Sequence, residues 1–204
     1  MKAPMKTAVF VSGGGTNLQA LMDSIDSGIV KSAEIACVIS NKKDAYALER
    51  AKKKGIPAKA ITENFEEEAL RFMEECGAEL IVLAGFLSII GKGILSAFKD
   101  RIINIHPSLI PSFCGKGYYG LHVHEKVLEY GVKLTGATVH FVSEEVDGGV
   151  IILQKAVEVR HDDTPEILQK RVMEEAEWVI LPKALELVAS GKVETKGRMA
   201  VINA

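Results

Sequence analysis

Cysteine is scarce in this chain. Its three residues among 204, Cys37, Cys76 and Cys114, are odd in number and form no Cys-x-x-Cys pair. That excludes a disulfide framework and predicts thiols that pack in a reduced compartment. Charge of one sign is also missing: a formal net charge of −2 carries no mark of a nucleic-acid binder. No apolar run reaches membrane-spanning length, and residues 8–11, behind two early lysines, are far too short for a signal peptide. A soluble cytoplasmic protein with no nucleic-acid and no membrane partner is expected. Repeats, low-complexity segments and linkers are lacking as well. At 48% hydrophobic and 25% charged residues, 1–204 reads as a single domain with a full core.

What is present is an alternation of short apolar runs and amphipathic segments. Residues 8–11 read as a strand, followed by a glycine turn and a helix with Leu18, Leu21, Met22, Ile25 and Ile29 at helical spacing. Residues 35–40 read as a second strand. A helix from near Asp44 runs through Ala45, Leu48 and Ala51 to Lys54, where the lysine run suits the dipole and Gly55 ends it. Residues 58–61 read as a third strand, and Phe65, Ala69, Phe72, Met73 and Cys76 mark the next helix. Residues 80–84 and 102–105 are too brief and too apolar for amphipathic helices and read as buried strands. Further on, 137–142 and 150–159 resemble longer, partly antiparallel strands around Asp147-Gly148-Gly149. Thr164-Pro165-Glu166 combines a cap, a first-turn proline and an acid; the helix it opens is expected to bend near Pro182 and stop at Gly191. The pattern predicts an α/β domain with a nucleotide-binding-like first half.

Two features point to chemistry. Ser12-Gly13-Gly14-Gly15-Thr16-Asn17-Leu18 joins the first strand to the first helix, where glycines let the backbone approach a ligand and a helix start offers amides to an anion. Leu18 holds the third glycine position of a dinucleotide fingerprint, which leaves that reading weak; Gly91-Lys92 lacks the upstream glycine and is followed by Gly93, so a Walker A loop is absent. A single phosphate is favoured; the alternative is a tight turn with no ligand. The second feature is Asn104-Ile105-His106-Pro107. Residues two apart in an extended chain point the same way, and the residue before a proline stays extended, so Asn104 and His106 project together from one strand tip. Open α/β sheets bind ligands at such tips. A satisfied structural pair is the competing reading.

The remaining polar candidates divide. Asp147 is either a turn residue bonding its own backbone or a carboxylate that orients His106 and favours its protonated form. His122 and His124 diverge on a helix and no partner has metal spacing, so no metal is expected. His140 reads as a core histidine in an apolar strand, and Glu177, beside the apolar stripe of the last helix, as a solvated residue.

Taken together, these residues resemble the phosphoribosylglycinamide formyltransferase branch of the folate-dependent formyltransferase family. The likeness covers essentially the whole chain. Besides the glycine turn it is carried by Ser40-Asn41-Lys42, Leu83-Ala84-Gly85-Phe86, Asn104-Ile105-His106-Pro107-Ser108-Leu109 and Val139-His140-Phe141-Val142 through Asp147-Gly148-Gly149. It implies a Rossmann-like fold, with a mostly parallel twisted sheet, helices on both faces and an antiparallel extension in the C-terminal half. It also implies transfer of a formyl group from 10-formyltetrahydrofolate, as cosubstrate, to the amine of glycinamide ribonucleotide in purine biosynthesis, by a monomer or homodimer without a metal. Asn104, His106 and Asp147 match the catalytic trio. Gly15, Thr16 and Asn17 match the substrate phosphate site, Pro107 a backbone contact and Glu177 a ribose acceptor. Leu87, Ser88 and Ile89, with Val142, Ser143, Glu144, Glu145 and Val146, match the folate pocket. Ser88 stands where several relatives have arginine, and Trp178 where histidine is common. The segment 113–120 is longer than in some relatives and reads as a mobile lid or a packed loop. Two rivals remain: a formyltetrahydrofolate hydrolase, whose similar family carries a regulatory domain ahead of the first strand, and a non-catalytic nucleotide-binding module.

Overall fold

The computed structural model describes residues 3–203; residues 1, 2 and 204 of the expected domain lie outside the described residues. Among the described residues, nine strands form one sheet in the order β3-β2-β1-β4-β5-β6-β7-β9-β8. The first half supplies β1 (Met5–Val11), β2 (Ala33–Ser40), β3 (Ala58–Ala60), β4 (Leu80–Leu83) and β5 (Ile102–His106), all paired in parallel. Helices α1 (Thr16–Asp26), α2 (Tyr46–Lys53), α3 (Phe65–Cys76) and α4 (Lys92–Ala97) make the crossovers. Then α5 (Leu121–Tyr130) leads to β6 (Leu134–Phe141) and β7 (Ile151–Glu158); β6 pairs antiparallel with both β5 and β7, as the Asp147 turn predicted. The fold is α/β and Rossmann-like.

Parallel strands buried on both faces need apolar residues at every position, and the alternation then assigns each to one of two cores. Val9, Val11, Val38, Leu80 and Val82 pack on one face, against α1, α2 and the C-terminal helices. Ala8, Phe10, Cys37, Ile39, Ile81 and Leu83 pack on the other, against α3 and α4. Cys37 and Cys76 are free and sit in or against this second core.

The last helix departs from expectation. Thr164 caps α6 (Pro165–Val172) as predicted, its hydroxyl accepting from Ile167 N at 3.3 Å. The interruption lies not at Pro182 but in a π turn, α6 passing through Met173–Glu177 into α7 (Trp178–Ala189), which carries Pro182 inside it. The extra residue in that turn rotates the following helix, and π turns recur at functional sites. Two more elements were not foreseen: the short α4, and a hairpin of β8 (Val193–Lys196) and β9 (Met199–Ile202) that extends the sheet edge. Both are too short to show a period.

Candidate active site

Strand order reverses between β1 and β4, so the crossovers on either side of that pair leave in opposite directions and open a crevice at the strand tips. A cleft of about 510 Å³ occupies that place. It is lined by all the residues singled out above: Asn104, His106 and Asp147; Gly15, Thr16, Asn17, Pro107 and Glu177; Leu87, Ser88 and Ile89; and the loop from Val142 to Val146.

At one wall the glycine turn leads into α1. Gly15 is the residue before the helix, with φ 71°, and no side chain caps it. An added Cβ would lie 2.6 Å from Ala47 Cβ, so both the backbone angle and the neighbour demand glycine. The first-turn amides of α1 therefore face the cleft without a cap. The turn is braced from behind, Ala47 N donating to Gly13 O at 3.1 Å and Arg50 Nε to Gly14 O at 2.8 Å. Thr16 Oγ1 lies 3.7 Å from Met173 Sδ, on the π turn. That turn also carries Glu177 into the cleft, where it is 6% exposed and accepts from Asn17 Nδ2 at 2.6 Å. Burial pushes its carboxyl up to about 7, against the opposing pull of the Asn17 amide. Glu177 is thus not the solvated residue its helix stripe suggested; the π turn, invisible in the pattern, turns it inward.

At the other wall Asn104 and His106 leave the tip of β5, as their spacing predicted. His106 Nδ1 lies 3.6 Å from Asp147 Oδ2, and its Nε2–H donates to Phe113 O at 2.9 Å. Asp147 does not bond its own turn. Its carboxylate accepts from Gly115 N at 2.8 Å and faces His140 Nε2 at 3.6 Å. Gly149 lets that loop close: a Cβ there would meet Phe141 O at 1.7 Å. The segment 113–120 is accordingly tied to the site at two backbone points, Phe113 and Gly115.

His140 belongs to this group, beyond its reading as a core residue. Antiparallel pairing sets it opposite Asn104. Its Nδ1–H donates to Phe141 O at 2.8 Å, and in the neutral ring Nε2 accepts from Asn104 Nδ2 at 3.1 Å, orienting that amide. The cross-strand register is the signal that would have found it, and register is not readable from one strand.

The charge states set two forces against each other at His106. Burial draws the His106 pKa below its ordinary value; Asp147 and the Phe113 carbonyl pull it upward without prevailing. Asp147 thus favours the protonated ring, as expected, but burial outweighs it in the free protein. Asp147 is pushed up by burial but ends below the usual carboxylate range, because His140, His106 and the Gly115 N–H outweigh it. His124, also on the cleft wall, is driven to about 4 by burial and then by His106. Both its ring nitrogens and Asn17 Oδ1 are buried without a protein partner among the described residues.

Residues 5–185 match the Formyl transferase family. The chain belongs to that family. It is 40% identical over 205 residues to the phosphoribosylglycinamide formyltransferase of Haemophilus influenzae, covering 97% of this chain and 93% of that protein. It is 46% identical to the trifunctional purine biosynthetic protein adenosine-3 of Gallus gallus, over 93% of this chain, and spans only 19% of that protein's length. Among solved structures, glycinamide ribonucleotide transformylase 1 from Symbiobacterium toebii superposes with a TM-score of 0.93 at 39% identity, covering 100% of this chain and 96% of that one. Among the described residues, no helix of this chain is long and apolar enough to cross a membrane.

Proposed function

We propose that residues 1–204 act as one unit that transfers the formyl group of 10-formyltetrahydrofolate to the amine of glycinamide ribonucleotide. The observation that carries this reading is the convergence of Asn104, His106 and Asp147 at one tip of a cleft whose opposite wall is an uncapped helix start. The phosphate takes the amides of Gly15, Thr16 and Asn17, the ribose hydroxyls donate to Glu177, and Pro107 offers a backbone contact. The folate enters between the loop of Leu87, Ser88 and Ile89 and the loop from Val142 to Val146. Leu87 and Ile89 are 52% and 79% exposed, an apolar wall suited to a flat heterocycle.

The ribonucleotide amine attacks the formyl carbon, whose carbonyl oxygen becomes an oxyanion. Asn104 Nδ2 gives one N–H to His140 and holds its second for that oxygen, a donor placed before charge develops. His106 is neutral until then. Its Nε2–H is taken by Phe113, so Nδ1, beside Asp147, is the nitrogen that receives a proton as the attacking amine becomes acidic. The imidazolium so formed lies between a carboxylate and the new oxyanion, which offset the burial that disfavours it. The proton then passes to the leaving folate nitrogen as the tetrahedral intermediate collapses. No covalent enzyme intermediate and no metal are required. Product analysis with both substrates, and with each omitted, tests the assignment. Formylated ribonucleotide formed only when both are present supports it. Formate release indifferent to the ribonucleotide assigns a hydrolase, and ligand binding without turnover assigns a binding module.

A further inference from the structure

We propose that Ser12 and Asn41 are positioning residues that couple the phosphate turn to the folate-side loop. Neither is a candidate site residue above, and the inference rests on the ligand assignment just given. The tips of β2, β1 and β4 lie side by side in the sheet, so the loops that follow them meet at its C-terminal edge. Ser12, the first residue after β1, is 4% exposed and immediately precedes the three glycines of the turn. Its backbone N–H donates to Gly85 O at 3.1 Å and its hydroxyl accepts from Leu87 N at 2.9 Å. The same hydroxyl donates to Asn41 Oδ1 at 2.7 Å, and Asn41 Nδ2 donates to Ser88 Oγ at 2.6 Å.

A hydroxyl has one proton to give. Because Asn41 Oδ1 can only accept, it fixes that proton and turns a lone pair of Ser12 toward Leu87 N–H. Asn41 closes the circuit through its amide. The result is a directional chain from the phosphate turn, through two side chains, to the backbone of a loop whose own apolar side chains are exposed. Leu87 and Ile89 make little packing of their own, while Phe86 and Ile90 on either side are set in the second core, so the hydrogen bonds fix where the apolar wall stands between those two anchors. A ligand that orders the glycine turn therefore also orders Leu87 and Ser88, and coupling of this kind acts equally in both directions.

Hydrogen exchange and steady-state kinetics test this together. Inorganic phosphate, used as the probe, is expected to slow exchange of the 85–90 backbone about fivefold in the wild type, the size that one hydrogen bond supports. Slowing of less than about twofold is expected in Asn41→Ala and in Ser12→Ala under the same coupling. Asn41→Ala serves alone should Ser12→Ala fail to fold. With both substrates, Asn41→Ala is expected to raise KM for formyltetrahydrofolate about five- to tenfold while kcat changes less than about threefold. Equal phosphate protection in wild type and Asn41→Ala overturns the coupling, and so does a loss confined to kcat. Failure of the wild type to form product instead overturns the ligand assignment, and the phosphate experiment still decides the coupling.

Discussion

In the Glu177→Gln variant, the amide oxygen keeps the hydrogen bond from Asn17 Nδ2 and the ionisation is removed. Folding raises the carboxyl from 4.5 to about 7, chiefly by burial. At about 1.4 kcal/mol for each tenfold change in proton affinity, ionising Glu177 inside the fold costs about 3 kcal/mol. The sign follows from the folded value lying above the unfolded one. Wild-type stability is undiminished below pH 4.5, falls as pH rises toward 7, and stays reduced beyond it. Glu177→Gln has no such loss. Urea unfolding of both proteins is expected to give similar free energies near pH 4.5 and an advantage to the variant approaching about 3 kcal/mol near pH 8. The same variant exchanges a charged acceptor for a neutral one and is expected to bind glycinamide ribonucleotide about tenfold to a hundredfold more weakly. A stability difference that does not change with pH would refute the buried-carboxylate reasoning. Unchanged ribonucleotide affinity would refute the ribose assignment.

Three further outcomes are expected. Asn104→Ala and His106→Ala should each lower kcat by about 10²–10³, read in single-turnover assays, with ribonucleotide affinity largely kept; undiminished turnover would remove the role in stabilising the oxyanion. Gly15→Ala forces a side chain into positive φ and against Ala47, and should cost about 1–3 kcal/mol of stability. Calorimetry should also show lost phosphate-ester binding in that variant, and binding at wild-type strength would place the phosphate elsewhere. Asp147→Asn withdraws the charge that pulls His106 upward, so NMR titration should find the His106 pKa lower still, with the acid limb of the rate profile moved down in pH. A His106 pKa that rises or stays put would show that Asp147 does not act on it through charge.

Much of this site is local and therefore legible. Asn104 and His106 share a direction because strands alternate, and Pro107 keeps them extended. The glycine turn announces itself because only glycine tolerates the angle and the closeness that Ala47 imposes. Other parts depend on what packs against them. His140 joins the site through its register with Asn104, and Glu177 through a π turn whose residues carry no distinguishing composition. At His106 the neighbouring carboxylate could be proposed from a motif, whereas the degree of burial that opposes it could not.

By itself, the order of residues determined the run of strands and helices, the place of the glycine turn and the pair at the β5 tip. Each follows from backbone geometry within a few residues. Only the tertiary structure decided which buried groups hold a charge, which loops meet, and that Asp147 turns outward from its own hairpin to the histidines. Those outcomes are set by desolvation and by contacts between segments distant along the chain, and both come into being when the sheet is assembled.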